Sequence, residues 1–149
     1  MGKWLRVLAI VTTTAMSACG ASADGPPEIV VDRTACAQCG MLVSELAFAA
    51  AYRVPGRPAR AFDDIGCLLD ALAQEPQRTD VQLWFRDAAD AQRIEGRQAT
   101  FVQSPELRTP MGGGIAAYRD RDAAARTAVQ HHGRVVATFA DLLGRRGRS

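Results

Sequence analysis

Two stretches of the chain share one pattern of apolar and polar positions, and each predicts two strands, a helix and a further strand. In the first stretch, about residues 45–90, short apolar runs are separated by Pro and Gly, and leucines at helical spacing follow a pair of aspartates. The predicted elements are strands 46–52, 59–62 and 81–85, a turn at 54–58, and a helix that Asp63 or Asp64 caps and that contains Leu68, Leu69 and Leu72.

The second stretch, about residues 97–143, repeats this plan without repeating the residues. It predicts strands 99–102, 115–118 and 134–137, an irregular loop 104–114, a helix 121–131 ended by Gly133, and a short helix near 138–143 before a basic tail. Each unit alone is too small to bury much apolar surface. We therefore expect an α+β fold in which two β-β-α-β units pack as one compact body.

The first 28 residues differ from the rest and predict export. Lys3 and Arg6 precede a short apolar run at 7–14, which is too short to span a membrane and is typical of a secretory signal. Small residues directly before Cys19 resemble a bacterial lipobox, so we expect residues 1–18 to be removed and Cys19 to be lipidated. The alternative is an ordinary cleavage site beside an incidental cysteine.

This interpretation gives a lipid-anchored protein that faces the periplasm. Residues 19–28, rich in Gly, Ala, Ser and Pro, have the composition of a flexible tether. A short strand is predicted at 29–31, where the domain 29–149 begins. Within this domain, Trp84 and Phe85 are expected to lie in the apolar core.

Composition and charge exclude one class of function. The chain has 149 residues, and 48% of them are hydrophobic, which is enough apolar surface for a core. Its formal net charge of +2 is too small for binding to nucleic acid by bulk electrostatics. Loss of Lys3 and Arg6 with the signal brings the charge to about zero. A partner protein is therefore expected to dock without a strong long-range field.

The cysteines point to metal or redox chemistry. Without Cys19, the thiols are Cys36, Cys39 and Cys67. Because three is an odd number, disulfide bonds within the chain cannot include all of them in an oxidising compartment. Either one disulfide leaves a free thiol, or the cysteines bind a metal. The CxxC spacing of Cys36 and Cys39 is compatible with both.

Two methionines favour a soft metal. Met41 follows Cys39 by two residues, and Met111 lies in the glycine-rich segment Thr109-Pro110-Met111-Gly112-Gly113-Gly114. Thiolate and thioether together select Cu(I) over harder ions. A single methionine is more often a packing residue, but these two belong to no apolar stripe.

Three further residues have two interpretations each. Cys67, near the start of a predicted helix, is either a third sulfur ligand or a small buried apolar residue. His131 and His132 either supply an imidazole to the metal or simply suit the last turn of a helix.

Enzymatic function is not expected. The chain has no defensible Ser-His-Asp set or paired acids, and Gly112 to Gly114 lack the Lys and Ser/Thr of a nucleotide-binding loop. Two rivals to a copper-binding protein remain: an extracytoplasmic thiol–disulfide oxidoreductase using Cys36 and Cys39, and a structural zinc domain using the three cysteines and a histidine.

Four motifs, in order, resemble the NosL family of nitrous oxide reductase accessory lipoproteins. They are the lipobox at Cys19, Cys39-Gly40-Met41, Asp64-Ile65-Gly66-Cys67 and Thr109-Pro110-Met111-Gly112-Gly113-Gly114. Together they span nearly the whole mature chain, and the last is the most specific.

The resemblance implies a copper chaperone of denitrification. It implies a periplasm-facing lipoprotein that binds Cu(I) and delivers it for assembly of the copper centres of nitrous oxide reductase, the client, directly or through its assembly machinery. Cys39, Met41 and Met111 match the motif positions and are the expected ligands. Cys36 and Cys67 stay candidate sulfur ligands, and His131 and His132 match no fixed position of the family.

Overall fold

The computed structural model describes residues 25–75 and 80–146, and in them the two predicted units are present. The first unit contains a 3-10 helix at Leu46–Phe48, followed by β1 (Ala50–Arg53), β2 (Arg60–Phe62), α1 (Ile65–Ala73), β3 (Gln82–Arg86) and β4 (Arg93–Glu95). After a 3-10 helix at Gly96–Gln98, the second unit contains β5 (Thr100–Gln103), β6 (Ile115–Tyr118), α2 (Arg121–Gln130), β7 (Arg134–Val136) and α3 (Phe139–Arg146).

Both units use the same antiparallel sheet topology. The first sheet has the order β2-β1-β3-β4 and the second the order β6-β5-β7, so in each the first strand of the unit is central and the helix precedes the third. The register pairs Ala51 with Ala61 and Trp84 in the first sheet, and Phe101 with Ala117 and Val136 in the second. The fold class and the internal repeat predicted from the sequence are confirmed.

One apolar core joins the units. Phe85 of β3 meets Phe101 of β5 edge to face, with ring centroids 4.9 Å apart, and Phe139 of α3 lies against both rings. Each such buried ring contributes roughly 1.5–3 kcal/mol to stability. Val102, next to Phe101, points the other way and packs with Ala124 and Ala128 of α2, as strand alternation requires.

Helix α1 lies between the two units and is the most buried helix. Asp64 is its N-cap and accepts a hydrogen bond of 2.6 Å from the Gly66 amide. Leu68 and Leu69 are fully buried in the shared core, and α1 contacts both β6 and α3. Whatever is attached to the start of α1 is therefore held at the junction of the units.

The structure corrects three element predictions. Residues 29–31 do not form a strand: the Val30 carbonyl accepts from the amides of Arg33 and Thr34 in a turn, and Asp32 adopts a φ of 60°. The segment 46–52 is split, because a 3-10 helix occupies its first half. Strand β4 was not predicted, since a strand of three residues with one buried side chain, Ile94, is too short for its alternation to be recognised.

The predicted signal peptide, Cys19 and most of the tether lie outside the described residues. Within residues 25–75 and 80–146, the helices are all too short or too polar to cross a membrane.

Candidate metal centre

The segment 36–41, here called the cysteine loop, forms a tight closed turn. The amide of Cys36 donates to the Met41 carbonyl at 2.7 Å, and the Gly40 amide donates to the Cys36 carbonyl at 2.9 Å. Gly40 has a φ of +77°, a conformation that favours glycine. The glycine of Cys39-Gly40-Met41 is thus what turns the chain back after the second cysteine.

The cysteine loop is attached to β2, and the segment that follows it is attached to Asp63, two residues before α1. The Ala37 amide donates to the Ala61 carbonyl, and Arg60 Nη2 donates to the Ala37 carbonyl at 3.0 Å. Three residues beyond Met41, the Ser44 amide donates to Asp63 Oδ1 at 2.8 Å. Asp63 is buried, so its carboxylate fixes the exit of the loop.

The segment 109–114, here called the methionine loop, is attached to the same place by the next residue. Asp64 is completely buried, and its Oδ2 accepts from the Thr109 hydroxyl and from the amides of Met111 and Gly113. A side chain at Gly113 would place its Cβ 2.3 Å from Asp64 Oδ1. Glycine is required there because the loop backbone lies directly on this carboxylate.

The adjacent aspartates therefore bring two distant loops to the start of α1. The sequence pattern indicates Asp63 and Asp64 as alternative helix caps, and Asp64 as part of a family motif, but it does not predict this anchoring role. The Asp-Asp pair is visible in the sequence, but nothing local connects it to Ser44 or to Met111, which lie 19 and 47 residues away. Only the folded chain identifies them as anchors.

Three thiols converge where these segments meet. The Sγ atoms of Cys36, Cys39 and Cys67 lie within 4.8 Å of one another, and all three cysteines are free thiols. Cys36 and Cys67 are buried, with 2% and 6% of their surface exposed, whereas Cys39 is exposed. Cys67, in the first turn of α1, is thus both a core residue and a neighbour of the CxxC pair.

The two buried thiols differ in acidity. Burial raises the pKa of Cys36, but the amides of Cys39, Asp63 and Gln38 outweigh it by donating to the sulfur, so the net pKa is lowered. Burial is the main reason that the pKa of Cys67 lies far above its ordinary value, and the negative charges of Cys36 and Cys39 raise this pKa further. A cationic metal supplies the charge that lets neighbouring thiolates coexist.

The methionines are not core residues. Met41 is 59% exposed and Met111 is 40% exposed, and each is held by its backbone, through the Cys36 amide and Asp64 respectively. Their side chains therefore lie at the surface of two anchored loops, available to a ligand or a partner.

The histidines lie outside the three-thiol cluster. His131 caps the C-terminus of α2 and lines a surface cavity with Phe48 and Tyr118. His132 adopts a φ of 46° and pairs through Nδ1 with the carboxylate of Glu106 at 3.0 Å. These contacts favour the structural interpretation of both residues.

The pairing of His132 gives a direct prediction. Because the hydrogen bond and charge of Glu106 raise the pKa of His132, its imidazole is expected to titrate by NMR above its ordinary value of 6.5, and Glu106→Gln should lower the midpoint. Since the folded-state pKa is raised, this stabilising contribution is complete at low pH and is lost as pH rises through that pKa. An unchanged midpoint of His132 in Glu106→Gln would contradict the pairing.

Comparison with known proteins agrees with the fold and the motifs. A model of the NosL family matches residues 27–144. The crystal structure of the copper chaperone NosL from Shewanella denitrificans superposes with a TM-score of 0.66 at 20% sequence identity, covering 78% of this chain and 97% of that one. No curated protein matches the chain. The family match covers most of the chain and includes both loops and the start of α1, and on this evidence the chain belongs to the NosL family.

Proposed function

We propose that this chain is a membrane-tethered Cu(I) chaperone, not an enzyme, that delivers copper for maturation of the copper centres of nitrous oxide reductase. Its ligands are the thiolate of Cys39 and the thioethers of Met41 and Met111. Membership of the NosL family and the likeness in fold to a protein described as a copper chaperone support this proposal.

One observation carries the proposal: soft sulfur donors are exposed on two loops that are fixed to one point. Asp63 and Asp64 fasten the cysteine and methionine loops to the start of α1, while Cys39, Met41 and Met111 remain exposed. Partly exposed methionine side chains gain less from packing than core residues do, and thioether together with thiolate is a donor set that selects Cu(I).

Exposure of the donors suits delivery better than storage. A closed four-ligand site releases its metal slowly, whereas neutral thioethers at the surface can be exchanged one at a time for ligands of the client. We place the docking face on the cysteine and methionine loops, with nitrous oxide reductase or its assembly machinery as the partner.

A titration of the reduced protein with Cu(I) against a competing chelator tests the proposal. We expect one Cu(I) per chain, sulfur ligands by X-ray absorption, and poor competition by zinc, which makes little use of thioethers. Failure to retain Cu(I) against the chelator would contradict a chaperone role, and stoichiometric zinc whose removal unfolds the protein would favour the structural alternative.

The tether has its own test. If Cys19 carries lipid, the protein should fractionate with membranes, and Cys19→Ser should block both lipidation and mature processing. One acyl chain binds a membrane only marginally, whereas the several chains of such a lipoprotein anchor it stably. Recovery of the unaltered protein in the soluble fraction, without lipid by mass spectrometry, would contradict anchoring and leave copper binding unaffected.

A further inference from the structure

The three thiols are arranged to bind a metal without the methionines. A zinc–thiolate bond is about 2.3 Å long, so three thiolates around one such ion lie about 4 Å apart. The sulfurs of Cys36, Cys39 and Cys67 already lie within 4.8 Å of one another. Less than about 1 Å of contraction would bring them into a common coordination shell.

The two buried sulfurs come from segments held in place independently. Cys36 begins the cysteine loop, which its own backbone hydrogen bonds close, and Cys67 lies on the buried face of α1. The structure does not assign these two thiols to the exposed donor set. They form a deeper layer beneath Cys39, which alone of the three is exposed.

The ligand set of the proposed function, Cys39 with the thioethers of Met41 and Met111, is here called the outer position. The three clustered thiols, Cys39 with Cys36 and Cys67, are called the inner position, and the two positions share Cys39. Among the described residues, the inner group contains only cysteine and no carboxylate or imidazole. Its donors are all soft, and three of them leave a further coordination site open, which suits a metal that must leave again.

We propose that Cys36, Cys39 and Cys67 form an inner three-thiolate position that holds the metal at rest, and that Cys39 passes it to the outer position. The proposal rests on the proposed function for the identity of the cargo, Cu(I), but not for the existence of the site. Transfer is ligand exchange without redox change: Cys39 stays bound while two thioethers replace two thiolates. Each thiol releases its proton to water on binding and regains one on release.

Cadmium tests the inner position without reference to copper. Cd(II) added to the reduced protein is expected to bind once per chain and to give thiolate-to-metal charge-transfer absorption for three thiolates. Cys36→Ser retains an acceptor for the amides that face the sulfur, and Cys67→Ala suits an apolar setting. Each variant should lose about one third of the charge-transfer absorption. Each should also bind Cd(II) more than about 100-fold more weakly, because loss of a direct ligand costs more affinity than loss of an outer-shell partner.

Val129→Ala is the control, because Val129 is 79% exposed on α2 and belongs to neither position. This variant should bind Cd(II) as the unaltered protein does. Circular dichroism and thermal unfolding establish that each cysteine variant is folded, and alkylation gives a second readout: iodoacetamide should modify Cys39 readily in the metal-free protein and none of the three cysteines after Cd(II) is bound.

The outcomes separate this inference from the proposed function. Folded Cys36→Ser and Cys67→Ala proteins that bind Cd(II) and Cu(I) like the unaltered chain would overturn the inner position and leave the chaperone intact. A three-thiolate Cd(II) complex in a protein that does not retain Cu(I) would support the inner position and overturn the chaperone. If iodoacetamide still modifies Cys39 readily after Cd(II) is bound, the inner position is wrong.

Discussion

Replacing Cys39 by serine is expected to lower the affinity for Cu(I) by more than about 100-fold, beyond the usual cost of losing an outer-shell partner. Cys39 is the only thiolate in the outer position and one of three in the inner position. A thiolate carries charge and supplies most of the binding free energy, whereas serine offers a hard, neutral oxygen. Competition with a chelator at fixed pH measures the change.

Met41→Leu and Met111→Leu are the controls for this substitution. Thioethers are neutral and are expected to affect selectivity and exchange rate more than affinity, so each change should cost clearly less than Cys39→Ser. Leucine has a similar volume, and Met41, Met111 and Cys39 are all exposed, so all three variants should retain the stability of the unaltered chain. Unchanged Cu(I) affinity in Cys39→Ser would remove the central ligand.

The same titration has a pH dependence with a definite sign. Because a thiol must lose its proton to bind, affinity should rise with pH until the binding thiols are ionised and should then level off. Cys39→Ser should flatten this dependence, since one released proton is lost from the reaction.

Asp64→Ala is expected to have the largest effect on stability, lowering the free energy of unfolding by about 3 to 5 kcal/mol. The buried carboxylate caps α1 and accepts from the amides of Gly66, Met111 and Gly113 and from the Thr109 hydroxyl. Alanine would leave these donors without their acceptor. Urea unfolding measures the loss, and Cu(I) affinity of the folded fraction should also fall because the methionine loop loses its attachment.

Two variants separate the anchoring role from general damage. Asp64→Asn keeps one acceptor oxygen and should lose less stability than Asp64→Ala. Asp63→Asn loosens the exit of the cysteine loop, through Ser44, while leaving the contacts of Asp64 with the methionine loop in place. Equal Cu(I) affinity in folded Asp64→Ala and the unaltered protein would show that Asp64 stabilises the fold without positioning Met111.

Elements with strong local patterns were predictable. Strand β6 was predicted residue for residue, and α2 to within one residue at its C-terminus, because polar caps and turn residues bound each of them. The strand expected at 29–31 was wrong: its three apolar residues have β propensity, but in the turn closed by Thr34 the amide and the carbonyl of Val30 both form hydrogen bonds within residues 30–34. The β propensity of three residues is too small to outweigh the hydrogen bonds of this turn.

The sequence by itself determined the repeat of two β-β-α-β units, the family resemblance and the presence of sulfur donors, because periodicity, turn residues and short motifs are local properties. It left Cys67 undecided between packing and metal binding, and it indicated Asp63 and Asp64 as alternative helix caps without indicating that they hold loops. The tertiary structure placed the buried Cys67 beside Cys36 and Cys39 and showed that both aspartates anchor loops, by bringing α1, the cysteine loop and the methionine loop together. Those contacts join residues far apart in the chain, and their geometry depends on how the two sheets pack around a common core, which no local pattern encodes.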